Sequence, residues 1–234
     1  TPGPAVRAPE RQAARPRRRR RRVDVVFWLG VAWLVLILGA AALAPVLPLG
    51  NADDSVAGLT APIFAEPGLG SKYPLGTNNY GLDILARCVY GARTSILVAL
   101  LAVLIGTTVG GLVGMVSGFV RGTTDRVVGV LSNTLLAVPP LILLIALGAV
   151  LDPSVRSIAF ALSLLTIPSM VRLARANTIT VAEREFVLAA RALGAGRLRL
   201  LRREVLPNVI LPVLSLAVVM ISVLVVAEAS LSFL

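Results

Sequence analysis

Residues 96–120 read ILVALLAVLIGTTVGGLVGMVSGFV, and this uncharged stretch decides the fold. A helix needs about 20 apolar residues to cross the roughly 30 Å hydrocarbon core of a bilayer, so the stretch is long enough to span a membrane. It also contains glycines at steps of four, namely Gly106, Gly110, Gly114 and Gly118. In a helix this spacing forms one ridge that another helix backbone can approach closely. We interpret the ridge as tight packing inside the protein's own bundle or, alternatively, as a contact that slides when the protein changes state.

Further apolar runs without charge lie on both sides of this one. They cover residues 25–47, 127–151, 157–171 and 205–227. The composition agrees, because 56% of the residues are hydrophobic and only 15% are charged, whereas a soluble domain has about 25% charged residues. We therefore predict an all-α fold, a polytopic membrane helix bundle with five spans present in this chain.

The distribution of lysine and arginine predicts the orientation of these spans. Residues 1–22, 121–126 and 172–204 carry 19 of the 23 basic side chains. Cytoplasmic segments of membrane proteins are enriched in Lys and Arg, so these three segments are expected in the cytoplasm. The amino terminus would then be cytoplasmic and the carboxyl-terminal end of the fifth span would be outside.

The apolar runs and the basic segments divide the chain into four parts. Residues 1–22 form an arginine-rich cytoplasmic tail that we expect to be disordered, and residues 23–47 form the first transmembrane helix. An arginine-rich start with an apolar run also describes a secretory signal, but this run is too long for a signal core. Residues 48–94 form an external segment, and residues 95–234 hold the remaining spans with a cytoplasmic loop at 172–207.

Few residues in this sequence are suited to catalysis or metal binding. The chain has no histidine and a single cysteine, Cys88, which removes the common metal ligands. We predict no catalytic residues and no metal site. The acid Glu228 follows the fifth apolar run and lies about 30 Å along a helix from Asn208, near the outer interface. We expect it to have a structural or outer-gate role and not to relay protons.

The segment 178–207 carries the most information about function. Thr180 and Glu183 have the spacing of a capping box that would start a short helix, and Gly194 is suited to end it. Beyond Gly194, a second short helix is predicted with Leu198, Leu201 and Val205 on its apolar face. The pair could imitate a DNA-reading helix-turn-helix. Membrane spans flank it closely on both sides, however, so we predict a cytoplasmic docking element for a partner protein and no nucleic-acid binding.

The same segment resembles the EAA loop of bacterial ABC-importer permeases. Its residues Ala189, Ala190, Gly194, Leu206 and Pro207 stand in register with that motif, whereas Leu188 replaces its glutamate and Glu204 its isoleucine. In such permeases the loop forms a coupling helix that sits in a groove on an ATPase. The resemblance implies a coupling set consisting of Leu188, Ala189, Ala190, Arg191, Gly194, Arg197, Leu206 and Pro207.

Two further stretches are similar to dipeptide and oligopeptide permeases. Residues 73–83 read YPLGTNNYGLD and are similar to the segment before the second span, with Gly76, Thr77, Gly81 and Asp83 as its motif residues. Residues 228–234 are similar to the end of the fifth span in that family. The family has six spans, so we expect a sixth helix beyond Leu234 in the natural protein.

The resemblance implies a type I ABC importer permease fold in a bacterial cell membrane. The chain would be one permease subunit of an ATP-driven importer for dipeptides or oligopeptides and would form half of the translocation pathway. Its partners would be a second permease subunit, two cytoplasmic ATPases that bind ATP and Mg²⁺, an extracytoplasmic peptide-binding protein and membrane lipids. This chain would bind no cofactor itself. The alternatives are a nickel or glutathione permease of the same family, or a channel or secondary transporter that works alone.

Overall fold

The computed structural model describes residues 25–50, 52, 61–68 and 70–232. Regular secondary structure in these ranges is helical, apart from an isolated antiparallel bridge between Thr77 and Asp83. This confirms the predicted all-α class. The predicted tail at 1–22 and residues 233–234 lie outside the described residues.

The helices are α1 (Val25–Leu43), α2 (Ile84–Val120), α3 (Gly122–Ala137), α4 (Pro140–Val150), α5 (Val155–Ala182), α6 (Glu185–Ala192), α7 (Arg197–Arg199), a π-helical turn (Leu200–Val205) and α8 (Leu206–Ser232). From α2 onward the helices follow one another with short connections, whereas residues 44–83 separate α1 from α2. Helix α2 begins at Ile84, so the last part of the predicted external segment is helical. Helix α5 likewise extends through the first part of the predicted loop at 172–207.

Four helical segments in the described residues are long and apolar enough to cross a membrane, and a bent pair gives a fifth candidate. The single segments are α1, α2, α5 and the continuous run from Arg197 to Leu231. The predicted third span at 127–151 is not straight, because α3 and α4 meet at an angle of 86°. The bend falls at Pro139 and Pro140, where the missing N–H groups and the proline rings interrupt the helix. The other two helix-interior prolines, Pro168 and Pro212, leave their helices continuous.

Helices α2 and α5 form the centre of the bundle. They run parallel, since Gly106 lies against Thr166 and Gly118 lies against Arg175 and Thr178. Helix α8 packs antiparallel against both of them, α1 packs against α2, and the bent pair α3–α4 packs mainly on α5. The buried apolar cluster accordingly combines residues of α2, α5 and α8, including the fully buried Val98, Leu162 and Met170.

The glycine ridge brings the α2 backbone directly onto α5. A Cβ atom built on Gly110 would lie 2.5 Å from the carbonyl oxygen of Ile167, and one on Gly114 would lie 2.4 Å from that of Val171. Separations under 3.0 Å are not tolerated, and backbone atoms cannot swing aside as a flexible side chain can. The two helices therefore approach so closely only because these α2 positions carry no side chain.

We predict that Gly114→Ala destabilises the protein by about 1–3 kcal/mol, because the added methyl group must push α5 away. Gly111→Ala makes the same chemical change three residues earlier on α2. There the new Cβ would meet only the Val213 side chain at 3.7 Å, an ordinary contact. Since alanine is the better helix former by about 1 kcal/mol, the control should be neutral or stabilising. Thermal unfolding in detergent measures both, and equal melting temperatures would contradict the prediction.

Candidate functional site

Helix α6 follows α5, and the residue just after its end is a glycine in the left-handed backbone conformation. Gly194 has φ +84°. Its N–H group donates to the carbonyl of Arg191 at 3.0 Å, and the N–H group of Ala195 donates to that of Ala190 at 3.1 Å. This pair of bonds is a Schellman motif, which satisfies carbonyls at the end of a helix. The helix terminator predicted at Gly194 is therefore present.

The start of α6 differs from the sequence prediction. Thr180 lies inside α5, and its hydroxyl donates to the carbonyl of Ala176 at 3.1 Å instead of capping a new helix. Glu183 ends α5, and α6 begins at Glu185 after Arg184, which makes no side-chain cap. The capping-box prediction was wrong because threonine can satisfy its hydroxyl on the preceding turn, and the helix then continues through it.

One side of α6 is buried against the bundle. Val187 is fully buried and belongs to the same apolar cluster as Leu200 and Val205 of the π-helical turn. These last two are five residues apart, which is the spacing that a π-helix stacks on one side. The predicted apolar face on the second short helix was therefore partly wrong: Val205 is buried, Leu201 is half-buried, and Leu198 is 66% exposed.

The rest of α6 and the residues after it present large apolar groups to the exterior. We call it the docking face and define it by the exposed residues Phe186, Leu188, Leu193 and Leu198. Leu193 is 89% exposed, and arginines with no ion-pair partner among the described residues, Arg184, Arg191 and Arg197, surround the apolar groups. Several large exposed apolar groups together with charged ones in one short segment are typical of a surface that binds another protein.

The sequence-predicted loop residues fall into three places. Leu188, Ala189, Arg191, Gly194 and Arg197 are exposed, Ala190 is half-buried beneath them, and Leu206 and Pro207 open α8. No break separates the predicted second helix from the fifth span, because α7, the π-helical turn and α8 are continuous. Pro207 lies inside this continuous run, just after the π-helical turn.

A polar network joins α2, α3 and α5 next to this loop. The guanidinium group of Arg175 binds both carboxylate oxygens of Asp125, with Nη2 at 2.7 Å from Oδ2 and Nε on Oδ1. Ser117 of α2 donates to the same carboxylate at 2.8 Å. Close by, Arg121 pairs with Glu183 at 2.7 Å. Sequence reasoning missed the Arg175–Asp125 pair, since the two residues are fifty positions apart and no local pattern connects them.

A second polar contact joins α2 to α8 at the other end of the bundle. The hydroxyl of Ser95 donates to Oε2 of Glu228 at 2.7 Å. Ser95 and Ser117 are 22 residues apart, or about 33 Å along α2 at 1.5 Å per residue. That length matches the roughly 30 Å hydrocarbon thickness of a bilayer. The two contacts of α2 are therefore about one bilayer thickness apart, and the interfacial position of Glu228 stays a prediction.

The predicted external motif forms a folded loop at the start of α2. Asp83 is buried and caps α2 by accepting from the N–H of Leu85 at 2.9 Å, and its other oxygen accepts from the N–H of Gly50 at 3.1 Å. The buried hydroxyl of Thr77 donates to the carbonyl of Pro62 and accepts from the N–H of Ala65. Gly76 and Gly81 adopt positive φ angles of 79° and 70°, which suit glycine.

Similarity to known protein families identifies the family of this chain. A family model described as the binding-protein-dependent transport system inner membrane component matches residues 110–234. The chain belongs to this family. It is a multi-pass membrane protein and a transport subunit, a permease of the ABC transporter class.

Peptide permeases of several bacteria are similar in sequence to this chain over most of its length. The dipeptide transport system permease protein of Escherichia coli (strain K12) is 37% identical over 207 residues, which is 88% of this chain and 69% of the relative. The di/tripeptide transport system permease protein of Pseudomonas aeruginosa (strain UCBPP-PA14) is 34% identical over 209 residues, 88% and 68% of the two chains. The dipeptide transport system permease protein of Haemophilus influenzae is 32% identical over 207 residues, 88% and 70%.

The family match covers three of the features described above. It includes Gly110, Gly114 and Gly118 of the ridge, the Asp125–Arg175 network and the docking face. The arrangement is therefore a helix core with the exposed α6 segment at one end, next to the polar network.

We predict that the Asp125–Arg175 pair contributes about 1 kcal/mol or more of coupling energy, because the contact is bidentate and Asp125 is only 19% exposed. A double-mutant cycle with Asp125→Asn and Arg175→Gln measures it from thermal unfolding. The Arg121–Glu183 pair serves as the matched control. Its side chains are 49% and 63% exposed, so Arg121→Gln with Glu183→Gln should give a coupling of about 0–0.5 kcal/mol. Equal coupling energies in the two cycles would count against a special role for Asp125.

Proposed function

We propose that this permease subunit belongs to an ATP-driven importer of dipeptides and longer peptides, and that it transmits the action of a cytoplasmic ATPase through the docking face. One observation carries the proposal: α6 presents Phe186, Leu188 and Leu193 outward while Val187 holds it on the bundle core. An element that is apolar on both sides is suited to join this subunit to another protein. The peptide substrate is suggested by the relatives named above.

The position of α6 explains how a push from outside the bundle would reach the spans. It lies between α5 and α8 in the chain and packs on α5 and on the π-helical turn that leads into α8. Both long helices pack on α2, so a displacement of α6 moves two of the three central helices at once. In this proposal, closure of the ATPases tilts α5 and α8 together and switches access to a pathway formed with a second permease subunit.

The charge distribution supports placing the docking face in the cytoplasm. The basic segments at 1–22, 121–126 and 172–204 would then lie on one side, as the positive-inside rule requires. Two ATPase subunits with their ATP and Mg²⁺ would be there, and an extracytoplasmic peptide-binding protein would be on the opposite side. Glu228, bound to Ser95, would lie near the outer mouth as a candidate gate residue.

Leu188 changes the chemistry expected at the ATPase contact. The resembled loop motif has a glutamate at this position, whereas Leu188 is an apolar side chain that is 48% exposed. We infer that apolar packing replaces an ion pair there. The contact would then be less sensitive to salt, because screening weakens exposed charge pairs and leaves apolar burial in place.

Reconstitution tests the proposed function. Proteoliposomes with this permease, its partner subunits and the binding protein should take up a radiolabelled dipeptide only when ATP is inside with the ATPases. Nickel ions and glutathione, offered to the same vesicles with the same binding protein, should not compete. Dipeptide uptake by the permease alone, without ATPases, would instead support a channel or secondary transporter and would reject the proposal.

A matched glycine pair tests coupling through the docking face. We predict that Gly194→Ala lowers ATP-dependent uptake several-fold while ATP hydrolysis continues, because alanine at φ +84° is strained by about 1–2 kcal/mol and distorts the end of α6. Gly196→Ala is the control. A Cβ atom at either position meets open space, but Gly196 has φ −67°, which alanine adopts freely. Equal transport by the two variants would show that the Schellman turn has no part in coupling.

A further inference from the structure

Three arginines form a positively charged recess next to the docking face. Arg199, Arg202 and Arg203, together with Leu198, line an open cavity of about 540 Å³. They lie within one turn of each other on the continuous helix that leads into α8. Their guanidinium groups are therefore directed toward the same volume.

No negative group of the described residues compensates these charges. None of the three arginines has a carboxylate within ion-pair distance or a hydrogen bond to another described side chain. The nearest acid in the sequence, Glu204, is half-buried. Like charges on neighbouring helical positions repel each other, so the recess is suited to an external anion. Guanidinium groups bind phosphate with two parallel hydrogen bonds each.

An apolar groove begins one helical turn away from these arginines. It is a cavity of about 310 Å³ between α2 and α8, and its walls include Leu206, Ile210 and Leu214 on α8 with Leu104 and Leu112 on α2. Leu206 directly follows the π-helical turn that holds Arg202 and Arg203, so the groove begins where the recess ends along the chain. The eleven residues from Arg203 to Leu214 span about 16 Å, which is close to half of the hydrocarbon thickness.

We propose that this surface binds an anionic phospholipid, with the headgroup phosphate on Arg199, Arg202 and Arg203 and one acyl chain along the α2–α8 groove. The charge and the groove together match one molecule that has a phosphate at one end and an apolar chain of single-leaflet length at the other. The assignment to the inner leaflet rests on the proposed orientation. Basic residues next to a membrane span attract anionic lipids at the cytoplasmic surface.

Lipid selectivity in nanodiscs tests the proposal. The permease in its complete membrane assembly is placed in phosphatidylcholine nanodiscs with a trace of spin-labelled phosphatidylglycerol or spin-labelled phosphatidylcholine, and the immobilised fraction is measured by electron paramagnetic resonance. We expect immobilised phosphatidylglycerol to be favoured on the order of tenfold. The triple variant Arg199→Gln, Arg202→Gln and Arg203→Gln should reduce this preference to near one, whereas the three Arg→Lys changes should keep most of it.

A second triple variant separates this site from general positive charge. Arg126, Arg172 and Arg184 are exposed arginines of the same side and have no described ion-pair partner. Replacing these three by Gln removes the same charge and should leave the preference intact. Loss of selectivity in both Gln triples alike, or no selectivity in the unchanged assembly, would overturn the proposal. Inorganic phosphate in excess should not displace the lipid, and complete displacement would assign the recess to free phosphate.

Cross-linking identifies what fills the groove. Phosphatidylglycerol with a photoreactive group on its acyl chain should label the segment around Ile210 of this chain, and unlabelled phosphatidylglycerol should compete. Labelling that is absent, together with an Ile210→Cys cross-link to the second permease subunit, would show that a protein helix occupies the groove and would reject the lipid site. Neither measurement involves ATP or peptide uptake, so a failure of the proposed transport function would leave the lipid result unchanged.

Discussion

The direct approach of the α2 and α5 backbones is the constraint on which the rest of the structure depends. Helices in a bilayer gain little from apolar burial against each other, because lipid tails are as apolar as their side chains. Their association must come from close van der Waals contact and from polar groups that find partners. The glycines of α2 provide the contact by removing every side chain from one ridge. Helix α8 and the bent pair α3–α4 can then pack around a narrow two-helix core.

The polar side chains that join the central helices are placed at the two ends of this core. Ser95 and Glu228 lie at one end, and Ser117, Asp125 and Arg175 lie at the other. The second group also adjoins the turn into α6, since Glu183 at the end of α5 pairs with Arg121. The docking face is consequently attached to the end of the bundle that carries the Asp125 network.

The sequence was sufficient for the features that depend on local pattern. Three features depend only on residues within one segment: the apolar runs, the four-residue spacing of the glycines and the helix terminator at Gly194. The apolar runs and the terminator appear in the structure as predicted. Features that depend on distant partners were missed or misread. The Asp125–Arg175 pair joins positions far apart in the chain, and Thr180 has the same local pattern whether α5 stops or continues. Val138, Pro139 and Pro140 indicate an interruption but not its angle of 86°.

The regular step of the glycine ridge has a mechanical consequence. A surface that repeats every four residues fits its partner almost as well after a shift of four residues, about 6 Å, so the ridge alone does not define which turn of α2 faces which turn of α5. The contact of Asp125 with Ser117 and Arg175 supplies the missing definition, because Asp125 cannot follow both helices through such a shift. Packing thus brings the two helices close together. The carboxylate of Asp125 then fixes how far one helix is shifted along the other.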